Sequence, residues 1–136
     1  MNKEFFEAYK KLQGRIKTIA PNEKGFNYNY ADLDAVWGMV RNAIAEEGFI
    51  VINSCVEKGI ETRLIHESEH EEKSTMPWTT EILSKKKDGQ GGVTQEKKSP
   101  MPQDRGSEIT YARRYNLLCL LQIVVKGEDN DANYNK

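Results

Sequence analysis

Two histidines and a glutamate have the spacing of a zinc hydrolase motif. His66-Glu67-Ser68-Glu69-His70 matches H-E-x-x-H, a pattern that on a helix places both imidazoles around zinc and leaves the glutamate as general base. The preceding residues, Ile60 to Ile65, favour a strand, and no third histidine is present to complete the ligand set. We therefore expect a polar strand end or turn here. A zinc-dependent hydrolase using His66, Glu67 and His70 is kept as the less favoured alternative.

ATP-driven work needs a phosphate-binding loop, and this sequence has none. Such a loop places Gly-Lys and then Ser or Thr at the start of a helix, so that backbone amides and the lysine hold the phosphates. Gly89-Gln90-Gly91-Gly92 lacks the lysine and stands in a polar segment, so we interpret it as the tip of a flexible loop. No cofactor and no metal site is predicted.

Tyr111 and Tyr115 are four residues apart, so on a helix they share a face. Two interpretations are open for them. Aromatic rings on one face can stack on unpaired bases, which contributes roughly 1–3 kcal/mol per base and tolerates any base sequence. Packing against a neighbouring sheet is the equally favoured alternative.

Arg113 and Arg114 cannot both line one narrow groove, because consecutive residues of a helix point about 100° apart. With Ile109 and Ala112 marking the inner face of the helix, Arg114 projects further from that face than Arg113. We therefore predict that Arg114 is the better placed to contact a phosphate. For Arg113 two interpretations stay open, a second contact to DNA or a structural ion pair with a carboxylate.

The net charge of −1 argues weakly against a nucleic-acid binder, but the charge is unevenly distributed. The segment from Ser84 to Lys126 contains nine Lys and Arg residues but only four Asp and Glu residues. The segment from Val56 to Glu72 contains six acidic residues and two basic ones. The basic part contains the clusters Lys85-Lys86-Lys87 and Lys97-Lys98. Such clusters most often indicate a solvated loop, and beside an arginine helix they would track a phosphate backbone.

Hydrophobic periodicity predicts two helices before the first long strand. Apolar residues recur at helical spacing from residue 3 to residue 20, where Pro21 ends the helix. Phe26 to Tyr30 alternates like a short strand. The second helix follows, with Asp32 as its N-cap and Gly48 as its C-terminal stop.

The second half of the chain predicts a hairpin, an insertion and a last helix. Phe49 to Val56 and Ile60 to Ile65 are strand-like and joined by a turn, and residues 73 to 83 are a candidate third strand. Ser84 to Gly106 is polar and predicts a flexible basic insertion. Ile109 to Val124 is helical and so apolar that we expect burial against the sheet and a neighbouring subunit.

The length fits one domain spanning residues 1–136, and the order of the predicted helices and strands is compatible with an α+β fold. The sequence has no signal pattern and no run of eighteen apolar residues, so we expect a soluble, cytosolic protein without a membrane partner. Cys55 and Cys119 stand among apolar neighbours and are predicted to be buried thiols.

Three blocks of the sequence resemble the pattern of one family. They are Tyr30-Ala31-Asp32-Leu33-Asp34-Ala35-Val36, then Thr62-Arg63-Leu64-Ile65-His66-Glu67-Ser68, and finally Gly106-Ser107-Glu108-Ile109-Thr110-Tyr111-Ala112-Arg113-Arg114-Tyr115 with the later Gly127-Glu128-Asp129-Asn130-Asp131. In this order they resemble the essential recombination function (ERF) family of phage and prophage proteins. Members of that family anneal complementary single DNA strands without ATP.

The resemblance implies a binding protein rather than an enzyme. It implies a β-β-β-α core of the type found in single-strand annealing recombinases, assembly into a homo-oligomeric ring or filament, and location in the cytoplasm of a bacterial host cell. A host or phage single-strand binding protein is a candidate partner. A protein that binds and protects single-stranded DNA or RNA without annealing it remains the alternative. The residues expected to contact DNA are Arg114, Arg113, Tyr111, Tyr115, Arg105, Lys85, Lys86, Lys87, Lys97 and Lys98.

Overall fold

The computed structural model describes residues 1–25, 29–87, 89 and 91–127. In chain order its elements are α1 (Lys3–Arg15), β1 (Glu23–Lys24), β2 (Asn29–Tyr30), α2 (Leu33–Glu46), β3 (Phe49–Cys55), β4 (Gly59–His66), β5 (Glu71–Pro77), β6 (Ile82–Lys87), β7 (Val93–Lys98) and α3 (Pro102–Leu121). The strand predicted from Phe26 to Tyr30 is thus described only at its last two residues, where β2 pairs with β1. The acidic segment Glu128 to Asp131 lies outside the described residues.

A three-stranded antiparallel sheet in the order β3-β4-β5 forms the centre of the fold. Every second residue of the middle strand is buried, from Ile60 to His66, because α3 crosses β4 and β5 on this face and α2 packs beside it on β3. The opposite face is open, and Ile50 on β3 is 57% exposed there. The predicted α+β class is confirmed, and the three strands precede the helix as expected for a β-β-β-α core.

The first two helices begin at side-chain caps. The Asn2 side-chain oxygen accepts from the Phe5 N–H at 2.6 Å, and the Asp32 carboxylate accepts from the Ala35 N–H at 2.9 Å. The predicted cap at Asp32 is therefore confirmed, as is the stop at Gly48, whose φ of 84° is left-handed. α1 ends at Arg15, earlier than predicted, because the chain beyond it becomes extended.

The third strand and the insertion differ in detail from their predictions. The third strand is β5, which begins before residue 73 and ends at Pro77, a residue that cannot donate to a further rung. The insertion from Ser84 to Gly106 follows it as expected but has regular structure. β6 and β7 pair as an antiparallel hairpin, and α3 already begins at Pro102.

Both cysteines are exposed, which corrects the prediction of buried thiols. Cys55 is the last residue of β3, where the covered face of the sheet opens to solvent. Cys119 lies on a solvent-facing side of α3, between the buried residues Leu117 and Leu121. Apolar neighbours in sequence do not bury a residue, because successive side chains point in different directions.

The segment after α3 returns to the segment after α1. Ile19 and Val125 form a parallel β-bridge, in which the Ile19 N–H donates to the Val124 carbonyl at 3.0 Å. The Tyr9 hydroxyl also donates to the Leu120 carbonyl, at 2.5 Å. Among the described residues, no helix is long and apolar enough to cross a membrane.

Candidate nucleic-acid interface

A groove lies between α3 and the edge strand β3. Its inner end is a cavity of ≈ 190 Å³ walled by Leu33, Trp37, Val51 and Leu117. Its outer end is a more open cavity of ≈ 370 Å³ walled by Ser54, Cys55, Ile60 and Ile109. Arg113 and Asn53 line both cavities, so these two side chains lie where the inner and outer ends of the groove meet.

Arg113 is the cation of this groove. Its side chain is half-buried, and its Nε is buried without a hydrogen-bond partner among the described residues. None of the ion pairs formed between described residues includes it. The structural ion pair that the sequence offered for Arg113 is therefore not formed with any of the described carboxylates. A buried guanidinium N–H that lacks an acceptor is costly unless an acceptor, such as a phosphate oxygen, enters the groove.

Arg114 is buried instead of projecting into solvent, which corrects its predicted orientation. Only 6% of the residue is exposed, and its Nε donates to the Ala31 carbonyl at the start of α2. Its guanidinium carbon lies 5.5 Å from the centre of the Tyr30 ring and 4.8 Å from that of Tyr115. Arg114 thus joins α3 to the segment before α2.

A chain of buried hydrogen bonds beneath α3 fixes the orientation of Asn53. The Asn116 amide nitrogen donates to the Ile60 carbonyl at 3.0 Å and to the Thr62 hydroxyl at 3.1 Å. The Thr62 hydroxyl therefore directs its only hydrogen to the Asn53 side-chain oxygen, at 2.6 Å. The Asn53 oxygen thus accepts from Thr62, which leaves the amide nitrogen as the donor that Asn53 can offer where it lines the two cavities.

The predicted tyrosine pair forms, but away from the groove. The rings of Tyr111 and Tyr115 lie 4.4 Å apart at an interplanar angle of 44°, and Tyr111 is 52% exposed. Tyr111 and Arg113 are two residues apart on a helix, so they point about 200° apart. The structure therefore does not bring the tyrosines and Arg113 onto one surface.

Arg105 anchors the start of α3 to the chain between β5 and β6. Its guanidinium donates to the Thr79 carbonyl at 2.9 Å and to Glu108 at 2.8 Å, and it lies 5.0 Å from the Trp78 ring centre. Burial by itself raises the pKa of Glu108, but hydrogen bonds from Thr79 and Arg105, with the charge of Arg105, lower it below the ordinary value. Arg105 is therefore engaged in fixing the base of the β6–β7 hairpin.

The predicted lysine clusters lie on the two strands of that hairpin. Lys85, Lys86 and Lys87 belong to β6 and pair with residues 93 to 95 of β7. Lys97 and Lys98 are exposed on β7, and the Lys97 ammonium lies 3.9 Å from the Glu81 carboxylate. Exposed ammonium groups contribute to a phosphate-binding surface mainly through charge.

The two histidines lie in a tight turn and not on a helix. His66 ends β4 and His70 precedes β5, and the His66 N–H donates to the His70 carbonyl at 2.9 Å. The His66 Nδ1 accepts from the Ser68 N–H, whereas the His70 Nε2 lies 2.8 Å from Glu72. Both imidazoles pack edge-on against Phe5. This arrangement agrees with the predicted strand end and lacks the helical geometry of a zinc hydrolase motif.

Sequence reasoning missed Asn53 and Trp37 as residues of the groove. Trp37 belongs to the apolar face of the second predicted helix, and Asn53 is a polar residue within the predicted strand Phe49 to Val56. Asn53 itself is the signal in the sequence, because an asparagine within a β-rich run needs a hydrogen-bond partner wherever the strand is covered.

The family model described as the ERF superfamily matches residues 5–136, nearly the whole chain. No curated protein and no solved structure matches the chain.

Proposed function

Because the chain belongs to the ERF superfamily over residues 5–136, we propose that it binds single-stranded DNA and anneals complementary strands without ATP during phage or prophage recombination. In this proposal the protein is not an enzyme. The observation that supports it most is the Arg113 guanidinium in the groove, with a buried donor that has no acceptor among the described residues. The Arg113 side chain also lines both cavities, where a phosphodiester oxygen would meet its positive charge.

The proposed mechanism is electrostatic. Arg113 holds the backbone of one strand in the groove, and the exposed Lys97 and Lys98 contribute further positive charge. Base pairing with a second strand then supplies the energy of annealing. Tyr111 is exposed on the other side of α3, where it is proposed to stack on a base outside the groove.

A homo-oligomeric ring or filament would extend this short site along the DNA, since linked weak sites bind far more tightly than single ones. The exposed Ile50 and Ile52 on the open face of the sheet are apolar surface that a second copy would cover. The measured mass in light scattering should then exceed the 15.6 kDa of one chain several-fold. Location in the host cytoplasm and binding of a single-strand binding protein are parts of the same proposal.

Arg113→Ala tests the proposed binding mode. Affinity for a fluorescent oligodeoxythymidylate should fall, and the slope of log affinity against log salt should decrease by about one unit for one lost phosphate contact. The matched control is Lys10→Ala, which removes an exposed cation on α1, outside the groove. Both variants should melt at the wild-type temperature. Equal affinity of Arg113→Ala and wild type would contradict the proposed site.

Annealing is tested by mixing complementary oligonucleotides with the protein in the absence of nucleotide. The protein should accelerate duplex formation above the rate without protein, and Arg113→Ala should reduce that acceleration in proportion to the DNA bound. Binding without acceleration would instead identify a protein that only protects single strands. An RNA oligonucleotide of the same sequence, measured in parallel, distinguishes a DNA binder from an RNA binder.

A further inference from the structure

We infer that the inner end of the groove is a pocket for one nucleobase of the bound strand. This inference rests on the proposed binding of single-stranded DNA and names the part of the ligand that enters the fold. The walls of the inner end are apolar except at Asn53 and Arg113, and they include the half-exposed indole of Trp37. A flat aromatic wall beside a small polar group matches a base, which has apolar faces and a polar edge.

The size of the inner end favours a single ring system. Its ≈ 190 Å³ is roughly six times the ≈ 30 Å³ that one water occupies in the liquid, and it is smaller than the ≈ 300–1,000 Å³ of pockets for drug-sized ligands. The cavity is therefore too small for a nucleotide together with its neighbours. One base fits, provided that its sugar and phosphate remain in the outer end.

The two polar side chains stand where such a nucleotide needs them. Arg113 lines both cavities, so its guanidinium can hold a phosphate at the junction while the base points inward. Asn53 lines the same junction, and the hydrogen-bond chain from Asn116 through Thr62 orients its amide nitrogen as a donor. Every nucleobase has acceptor atoms on its edge, so this donor retains a base of any sequence.

A base in this pocket is removed from the pairing edge of the strand. Each protomer would then keep one base unavailable for pairing, and that base could pair with a complementary strand only after leaving the pocket. The strand would be presented in short stretches of free bases separated by single captured ones. Stacking on Trp37 would be the main contribution of the pocket to affinity.

The test compares oligodeoxythymidylate with an abasic oligonucleotide of the same length, which has the phosphates but no bases. Wild type should bind the first more tightly than the second. Trp37→Leu should weaken binding of oligodeoxythymidylate about ten-fold and leave binding of the abasic strand unchanged. Trp37→Phe, which keeps an aromatic ring, should retain most of the affinity. Phe6→Ala removes an aromatic ring that is 55% exposed on α1 and should affect neither ligand.

Intrinsic fluorescence gives a second measurement that does not depend on the stability of Trp37→Leu. Oligodeoxythymidylate should quench the emission of wild type, and the abasic strand should not. The quenching should be lost in Trp37→Phe, in which Trp78 remains as the internal reference. Equal affinity of wild type for both ligands, or an equal loss on both in Trp37→Leu, would overturn the base pocket while leaving the proposed DNA binding intact. Failure of wild type to bind either ligand would overturn both.

Discussion

Replacing Arg114 with alanine should destabilise the fold. The substitution removes a hydrogen bond from a charged group to the Ala31 carbonyl, a type of bond that contributes about 1.5–3 kcal/mol. It also removes two contacts between the guanidinium and aromatic rings, those of Tyr30 and Tyr115, each contributing about 0.5–1 kcal/mol. Because these contributions overlap, we expect a loss of about 3 kcal/mol. For a domain of 136 residues this lowers the melting temperature by about 10 °C.

The measurement is thermal unfolding followed by circular dichroism, with Arg114→Ala, Arg114→Lys and Arg113→Ala compared at one protein concentration. Arg114→Lys keeps the charge but loses the planar guanidinium, so it should lie between wild type and Arg114→Ala. Arg113→Ala should remain within about 0.5 kcal/mol of wild type, as expected for a side chain that forms no ion pair with the described residues. If Arg114→Ala melts at the wild-type temperature, the structural role of the buried Arg114 is refuted.

Two further perturbations test the sheet and the base of the β6–β7 hairpin. Gly59→Ala should lower the free energy of unfolding by more than about 2 kcal/mol, since a Cβ there would collide with the Met76 carbonyl oxygen. Gly38→Ala on α2 is the control and should be neutral or stabilising, because a Cβ there meets no atom within 4 Å. Equal melting temperatures of the two variants would contradict this packing. Glu108 has a lowered pKa in the fold, so its stabilising contribution is complete above the ordinary value of 4.5 and is lost as the pH falls through the folded value. The difference in melting temperature between wild type and Glu108→Gln should accordingly shrink on acidification, and a pH-independent difference would argue against the ion pair.

The local elements could be predicted because their signals lie within a few residues. Asp32 caps α2 through the N–H of Ala35, three residues away, and β3 and β4 are strand-like runs separated by a short turn. The hairpin of β6 and β7 gave no such signal. The lysines of both strands make the hairpin polar, so its sequence is indistinguishable from that of a solvated loop.

The roles of the two arginines could not be predicted because the partner of Arg114 is remote. Its hydrogen-bond acceptor is Ala31, 83 residues away, and the aromatic rings beside it include Tyr30. The inner face of α3 was inferred from Ile109 and Ala112 alone, whereas the helix is in fact covered on two sides, by the sheet and by α2. The groove was missed for a similar reason, since its walls come from three separate elements.

The bridge between Ile19 and Val125 can form only late during synthesis, because Val125 is made long after Ile19. β3 and β4 can pair as soon as His66 has been made, because the hairpin is local. The partners of Tyr9 and Ile19 are made last, and the Tyr9 to Leu120 contact spans 111 residues, a separation of the kind that slows folding. Translation proceeds from the N-terminus, so the end of α1 and the segment that follows it stay uncovered until α3 has emerged. During that interval a nascent chain exposes Ile16 and Ile19 to chaperones and to neighbouring nascent chains.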